Sequence, residues 1–398
     1  MKGMASVGGI VMVSENSKQI ITTLNNAGYE AYLVGGCVRD TVIGIPISDW
    51  DITTNATPEQ VREVFHENKI IETGIKHGTV TLLIKGESFE ITTFRTDSVY
   101  LDHRHPEEVK YSDSLDEDLM RRDFTMNALA YHPEKGMIDL FDGIKDIEQK
   151  VIRCVGNPNQ RFEEDSLRIL RGIRFASKLG FRIEENTKQA MYDNKHLLLF
   201  LSRERITKEL LETIKGEYAF DVLMEYKGVL KGVINCIDEL VIDKKILNSL
   251  KKDSILRFSS FVLPLSKETL SELLKSLRLS RKEEERIKTI YYYQKVMFTD
   301  DTKQLKHLMS KVSCEIFNDL VDLFANEKEN IRKLYTTIIK TNQCYKLSML
   351  EISGTDLQTM DIAPNEIGNI LNLLLNKVID EEIGNSKDEL LEYVRLIT

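Results

Sequence analysis

The chain has 398 residues, of which 42% are hydrophobic and 29% charged, and its formal net charge is −9. This length exceeds one compact core, so we expect two to four domains. Seven prolines and 21 glycines exclude a collagen-like or largely disordered chain, and the acidic balance argues mildly against non-specific binding of nucleic acid.

The N-terminal segment 1–13 has a short apolar run but lacks the long apolar stretch and cleavage site of a signal peptide. No other run is long enough to span a bilayer. The five cysteines (37, 154, 236, 314 and 344) form no C-x-x-C pair. We therefore expect a cytoplasmic protein with reduced thiols and no membrane partner, and neither a disulfide framework nor a zinc site.

An amphipathic helix is predicted over 14–27 and a short buried strand over 31–34. Gly35 and Gly36 follow the strand and precede a segment, 38–43, that can begin a helix. Because glycines lack Cβ atoms and a helix start presents backbone N–H groups, this junction suits a phosphate.

Asp49 and Asp51 alternate with Trp50 and Ile52 on a second predicted strand, so both carboxylates fall on one face. A Gly-Gly pair alone usually marks a turn, and a lone Asp-x-Asp usually marks a solvated strand end. Together, at this spacing, they indicate a Mg²⁺-assisted phosphoryl-transfer site.

The two motifs resemble the head of the class II tRNA nucleotidyltransferases, which comprise the CCA-adding enzymes and their sister bacterial poly(A) polymerases. The resemblance implies an α+β chain: a polymerase β-like head with a mixed sheet, followed by an all-helical neck, body and tail. It also implies that Asp49 and Asp51 are catalytic and hold Mg²⁺, while Gly35, Gly36 and Arg39 cradle a nucleoside triphosphate.

Thr57 and Pro58 predict the start of a helix that runs to about residue 65. The β-rich runs 79–84 and 88–94, separated by Lys85-Gly86-Glu87, predict a hairpin. Glu90 lies in the second run. It is either a third metal ligand beside the two aspartates or a solvated strand residue, because alternation alone does not choose its face.

The polar stretch 95–111 resembles the flexible loop of the CCA-adding family. In that family the loop helps to switch the site from C to A addition, and relatives that add only CC lack it. Its presence argues against a CC-only enzyme.

Residues 121–128 (Arg-Arg-Asp-Phe-Thr-Met-Asn-Ala) combine a doubled arginine with an aspartate. Arginine supplies forked donors for phosphate, and a carboxylate accepts hydrogen bonds from sugar hydroxyls. An isolated string of this kind would be an ordinary salt-bridge cluster. Here it resembles the ribose-recognition motif of the family, which makes Arg122, Asp123 and Asn127 nucleotide-binding candidates.

Residues 162–175 have a helical period, and Asp165 and Arg168 are then neighbours on one face. A carboxylate beside a guanidinium accepts the amino group of cytosine or adenine and donates to the adjacent ring nitrogen, whereas guanine and uracil present the opposite order. An ordinary i,i+3 salt bridge is the alternative, but the family's Glu-Asp-x-x-Arg motif favours base selection. On a continuous helix Arg171 lies at the margin of the face that Asp165 and Arg168 share. Arg174 lies roughly opposite Asp165 and would serve a phosphate, the RNA or an internal ion pair.

The rest of the chain is rich in leucine and poor in proline, which predicts helices. The expected domains are a catalytic head (14–145), a base-recognising neck (146–215), a tRNA-binding body (216–345) and a tail for the tRNA elbow (346–398). The resemblance implies template-independent addition of CCA to tRNA from CTP and ATP. An A-adding enzyme, a poly(A) polymerase and a non-catalytic tRNA-binding protein are the alternatives, and the sequence leaves the oligomeric state open.

Overall fold

The computed structural model describes residues 13–47, 49–72, 74–96, 110–360 and 362–398. Most of the predicted loop 95–111 lies outside these residues. The described chain forms two compact units, which are Met1–Glu239 with Lys267–Arg278 and Leu240–Ser266 with Leu279–Thr398.

The strands lie in the first unit. They are β1 (Ala31–Val34), β2 (Trp50–Thr54), β3 (Lys69–Ile71), β4 (Thr79–Ile84), β5 (Glu87–Thr93), β6 (Arg95–Thr96), β7 (Lys110–Tyr111), β8 (Leu129–His132), β9 (Gly136–Asp139), β10 (Val151–Ile152) and β11 (Arg182–Ile183). Seven of them form one sheet in the order β3-β4-β5-β2-β1-β8-β9. Only the β2–β5 pair in that described sheet is parallel, so the predicted mixed sheet is confirmed.

Helices precede, separate and follow the strands along the chain. They begin with α1 (Glu15–Asn26), α2 (Gly36–Ile43), α3 (Pro58–Val64), α4 (Leu115–Met120), α5 (Gly143–Glu148), α6 (Pro158–Glu164), α7 (Leu167–Leu179), α8 (Glu185–Asn194), α9 (Arg203–Lys215), α10 (Ala219–Glu225) and α11 (Lys227–Leu230). They continue with α12 (Lys244–Ser249), α13 (Ser254–Val262), α14 (Lys267–Leu277), α15 (Arg281–Tyr292), α16 (Thr302–Lys311), α17 (Cys314–Phe324), α18 (Lys328–Lys340), α19 (Gly354–Gln358), α20 (Pro364–Ile379) and α21 (Lys387–Ile397). Short 3₁₀ turns occupy Ile75–His77, Thr125–Asn127, Lys195–Phe200 and Leu347–Met349.

Local signals in the head are confirmed. Thr57 caps α3 in a capping box with Gln60, and Pro58 is the first helical residue. Strands β4 and β5 form the predicted hairpin, with Lys85 and Gly86 at positive φ in its turn. Both turn residues therefore adopt the left-handed backbone that a two-residue hairpin loop requires.

The parallel pairing of β2 with β5 decides the face of Glu90. Asp51 and Glu90 are direct partners in this register, so their side chains project from the same face of the sheet. Asp49 immediately precedes β2 and is exposed, whereas Asp51 is half-buried. The sheet thus brings three carboxylates to one region.

The predicted continuous helix over 162–175 is wrong. Helix α6 ends at Glu164, and Asp165 has an extended backbone with φ −145° and ψ 100° before α7 begins at Leu167. The Asp165 carboxylate accepts a hydrogen bond from the N–H of Leu167 at 3.1 Å. It therefore satisfies a donor at the start of the new helix instead of continuing the old one.

The second unit is helical and has two apolar clusters. One centres on Phe317, Leu320 and Ile338, and the other centres on Leu357, Leu374 and Leu390. None of the helices in the described ranges is both long and apolar enough to cross a bilayer.

Candidate active site

A cavity of about 760 Å³ in the first unit collects the predicted residues. Every site candidate except Glu90 lines it: Gly35, Gly36, Arg39, Asp49, Asp51, Arg122, Asp123, Asn127, Asp165, Arg168, Arg171 and Arg174. Asp51 lies on β2 and Asp49 just before it, α2 and the 121–128 segment supply Arg39 and Arg122, and α7 supplies the other three arginines. One cavity can therefore hold a ligand that contacts all of these elements.

Gly35 lies where β1 turns into α2, with φ 69° and ψ −126°. A Cβ atom at this position would lie 2.9 Å from Nη1 of Arg122 and 3.8 Å from Oδ2 of Asp51. Only a glycine leaves this space open at a positive φ without strain. The turn thus keeps a carboxylate and a guanidinium close to the backbone.

Asp51 carries the clearest electrostatic signature in the site. Burial raises the pKa of its carboxyl to about 6, and the negative charges of Glu90 and Asp49 act in the same direction. Arg122 and Arg39 oppose the rise. Because like charges crowd Asp51, a cation placed among these carboxylates would be favourable.

Within the described residues, no group of three or more Asp, Glu, His or Cys side chains is close enough to form a ready-made metal site. Glu90 shares a sheet face with Asp51 but does not line the cavity. Asp49 and Asp51 thus line the cavity, and Glu90 acts on Asp51 through its charge.

Asp118 fixes the doubled arginine. Its buried carboxylate accepts hydrogen bonds from Nη2 of Arg121 at 2.7 Å and from Nη2 of Arg122 at 3.1 Å. Thr53 of β2 donates to the same carboxylate at 3.2 Å. In the described structure, the buried Nε of Arg122 has no acceptor, so this arginine retains a donor for a ligand.

A chain of hydrogen bonds connects α2 to α7. Arg39 donates from Nε to Asp40 at 2.8 Å and from Nη1 to the amide oxygen of Asn127 at 2.6 Å. Asn127 donates to Asp123 at 3.0 Å, and Arg171 donates to Asp123 at 2.7 Å. Burial alone would raise the pKa of Asp123, but Arg171 and the Asn127 hydrogen bond lower it to about 2. Asp123 is therefore ionised and acts as an acceptor.

The prediction that Asp165 and Arg168 are neighbours on one face of a helix is wrong, because the helix breaks between them, and the alternative i,i+3 salt bridge is not formed either. Asp165 is instead paired with Arg205 of α9, whose Nη2 lies 3.0 Å from Oδ2. Arg168 is buried and donates to Glu164 at 2.8 Å and to the backbone carbonyls of Arg161 and Arg121. Both side chains still line the cavity, each held by its own partners.

Arg174 forms an ion pair with Glu209 of α9, with Nε and Oε2 2.6 Å apart. One of its predicted roles, an internal ion pair, is thus confirmed. Its predicted position opposite Asp165 is wrong, since that angle assumed one continuous helix. Because Asp165 precedes α7 in an extended conformation, both residues line the same cavity.

Sequence reasoning missed several residues that hold this site together: Asp118, Phe175, Arg205 and Glu209. Asp118 had a detectable signal, because it lies three and four positions before Arg121 and Arg122 on a helical spacing. Arg205 and Glu209 belong to a segment, 202–211, that resembles the helix-stabilising motif of the family, but their pairing was not predictable, because each is at least 35 residues from its partner in the chain.

Three family models match the chain. They describe a poly(A) polymerase head domain over residues 31–153, an RNA and SrmB binding site of polymerase A over 180–237, and a tRNA nucleotidyltransferase domain 2 over 251–394.

Similar proteins extend over nearly the whole chain. A CCA-adding enzyme of Lactobacillus helveticus is 36% identical and covers 94% of this chain and 95% of its own. One from Ligilactobacillus salivarius is 38% identical and covers 94% of each chain. The crystal structure of the Bacillus stearothermophilus CCA-adding enzyme in complex with CTP has a TM-score of 0.81 and 29% identity, over 96% of this chain and 97% of that one.

Proposed function

Because this chain belongs to the CCA-adding enzymes, a family of tRNA nucleotidyltransferases, we propose that it adds C, C and A to tRNA 3′ ends. It uses CTP and ATP, releases pyrophosphate and needs no nucleic-acid template. The observation that supports this proposal most directly is that the Asp49–Asp51 pair, the Gly35 turn and the arginines line one cavity. Full-length relatives named CCA-adding enzymes favour this activity over A addition alone or poly(A) synthesis.

Enzymes of this family use divalent metal ions, and for this chain we propose Mg²⁺ held by Asp49 and Asp51, with Glu90 as a further candidate ligand. Carboxylate oxygens are the ligands that Mg²⁺ prefers. The pKa of Asp51 is raised first by burial and then by the charges of Glu90 and Asp49, and a cation bound there would favour the ionised carboxylate. When bound, the ion supplies electrostatic stabilisation to the transferring phosphoryl group.

The triphosphate and ribose are proposed to bind along the hydrogen-bonded chain between α2 and α7. Gly35 and Gly36 leave room for phosphate oxygens at the start of α2, while Arg39 and Arg122 supply the charged donors. Asp123 is kept ionised and can accept from a ribose hydroxyl. Asn127 sets the orientation of both Arg39 and Asp123 through its amide.

Base selection is proposed for Asp165 and Arg168. The carboxylate would accept from the exocyclic amino group of cytosine or adenine, and the guanidinium would donate to the neighbouring ring nitrogen. Support comes from their anchoring, since Arg205 holds Asp165 while Glu164 and two carbonyls hold Arg168. Arg171 and Arg174 are proposed to contact the nucleotide from the same wall.

We propose that the body over 216–345 and the tail over 346–398 bind tRNA, while the head over 14–145 is catalytic and the neck over 146–215 recognises the base. Duplex RNA is recognised mainly by shape and backbone contacts, and two matched family models in this region describe RNA-related domains. We also propose a cytoplasmic location, which agrees with the five free thiols.

The test supplies purified protein, Mg²⁺ and three tRNA transcripts that end at the discriminator base, at C and at CC, each with CTP, ATP or both. Completion of all three transcripts with both nucleotides is the expected result. Extension of the CC-ended transcript alone would indicate an A-adding enzyme, and long A tails a poly(A) polymerase. No incorporation at all would leave the non-catalytic tRNA-binding protein.

A further inference from the structure

Three arginine side chains converge on the aromatic ring of Phe175. The guanidinium carbons of Arg39, Arg171 and Arg174 lie 5.0, 5.4 and 4.5 Å from the ring centroid. Each distance is within the range of an attractive cation–π contact. Phe175 lies on α7, is 5% exposed and forms part of the cavity wall.

Apart from the ring, Arg39 and Arg171 are linked through the Asn127–Asp123 hydrogen bond, whereas Arg174 has a separate anchor. Arg39 of α2 binds Asp40 and Asn127, Arg171 binds Asp123, and Arg174 pairs with Glu209 of α9. Their guanidinium groups carry like charges and repel one another. The ring, whose faces carry partial negative charge, is the group that all three share.

The ring is itself fixed by another aromatic residue. Phe124 meets Phe175 edge to face, with centroids 6.0 Å apart and planes at 87°. Phe124 directly follows Asp123, and both belong to the 121–128 segment of the head. The ring of Phe175 therefore projects from α7 onto the 121–128 segment, and both elements fix its position.

We propose that Phe175 is a positioning residue for nucleotide binding. Together with the hydrogen bonds through Asn127 and Asp123, its ring sets the position of Arg39, at the proposed triphosphate position, relative to Arg171 and Arg174, on the side of the base-selecting residues. This role rests on the proposed function, because it assigns those arginines to one nucleotide. A leucine would fill much of the same volume but would attract none of the three cations.

The decisive experiment changes the charge of the ring face while keeping its shape. Position 175 receives 4-fluoro-, 3,5-difluoro- or 3,4,5-trifluorophenylalanine, since fluorine withdraws charge from the face that attracts cations. Phe175→Leu and Phe175→Tyr complete the series. The same fluorinated residues at Phe162, which is fully buried on α6 and outside the cavity wall, provide the control.

We expect KM for CTP and for ATP to rise stepwise with fluorination at position 175, to roughly five to ten times the wild-type value with three fluorines. The melting temperature should stay nearly constant, because the shape of the ring is kept. Phe175→Leu should show at least the same rise, and Phe175→Tyr should remain close to wild type. The Phe162 series should leave KM unchanged.

An unchanged KM across the fluorinated series at position 175, or an equal rise in the Phe162 series, would overturn the proposal. The isosteric series decides the matter even if Phe175→Leu fails to fold. Nucleotide affinity measured by calorimetry keeps this test separate from the activity. If the wild-type protein binds CTP but extends no tRNA, the proposed function fails while the role of the ring is still measured.

Discussion

Gly35 and Arg122 occupy adjoining space so closely that a methyl group at position 35 would lie 2.9 Å from Nη1 of the arginine. The same position faces Asp51 at 3.8 Å. The missing side chain at position 35 thus leaves room for Arg122, which is proposed to donate hydrogen bonds to phosphate, beside Asp51, which is proposed to bind the metal.

Gly35→Ala should abolish most of the activity. The new Cβ displaces Arg122, and a misplacement of about 1 Å can cost roughly 100-fold in rate. Gly44→Ala is a matched control, because Gly44 is also at positive φ, at the other end of α2, but a Cβ there meets no atom within 4 Å. Gly44→Ala, in the left-handed region, should lose about 1–2 kcal/mol of stability, and Gly35→Ala about 1–3 kcal/mol. Only Gly35→Ala should lose at least about 30-fold in kcat/KM. Equal activity losses would refute this account.

The raised pKa of Asp51 predicts that the stability of the metal-free protein depends on pH. Its folded pKa of about 6 is above the ordinary value of 3.8, so the folded state binds the proton more tightly than the unfolded state. Protonation therefore stabilises the fold, and this contribution is lost as the pH rises from about 4 through about 6. Asp51→Asn should raise the melting temperature of the metal-free protein at pH 8, and the difference should shrink towards pH 4.

Comparing the wild-type protein with Asp51→Asn at each pH removes the contributions of the other titrating groups to the melting temperature. Calorimetry with Mn²⁺ provides a second measurement, in which binding to the wild-type protein should weaken as the pH falls below about 6. A melting difference that is constant from pH 4 to pH 8 would contradict the raised pKa.

Asp118→Asn should impair catalysis although this residue does not line the cavity. The change removes the charge that holds Arg121 and Arg122, which should cost roughly 2–3 kcal/mol of stability. With Arg122 released, kcat/KM should fall by about 10- to 100-fold. Asp116→Asn is the control, since Asp116 is exposed on the same helix. Wild-type kinetics for a folded Asp118→Asn protein would show that Arg122 needs no such anchor.

Asp165→Ala should reduce the selectivity for CTP and ATP over UTP and GTP. The ratio of kcat/KM for CTP and ATP to that for UTP and GTP should fall by roughly 10- to 100-fold, because a mismatched buried polar group costs about 1–3 kcal/mol. Single-nucleotide incorporation on the three tRNA transcripts measures this ratio. Glu163→Ala, at an exposed position outside the cavity wall, should retain the wild-type ratio. Unchanged selectivity in Asp165→Ala would remove this residue from base recognition.

The features that were predictable from sequence are those set by near neighbours in the chain. The β1 strand, the Thr57 cap and the Lys85-Gly86 hairpin depend on residues within a few positions of one another, and the structure confirms them. The face of Glu90 was not predictable, because it depends on the pairing of β2 with a strand some 40 residues away.

The break at Asp165 shows most clearly what the local sequence pattern could not predict. The helical period of 162–175 is real on both sides of the break, so the pattern gave no reason to divide the helix. Asp165 leaves the helical conformation while bonding to the start of α7 and pairing with Arg205, 40 residues downstream. Its position therefore follows from the packing of α9 as well as from its own sequence.

Seven arginines that line the cavity already contact a carboxylate: Arg39, Arg121, Arg122, Arg168, Arg171, Arg174 and Arg205. Each guanidinium has five N–H donors, so a contact with a carboxylate orients the group and leaves other donors for a ligand, among them Nε of Arg122. Because the acids hold these groups in place, the cavity favours an anion whose oxygens match the fixed donors over a generic polyanion.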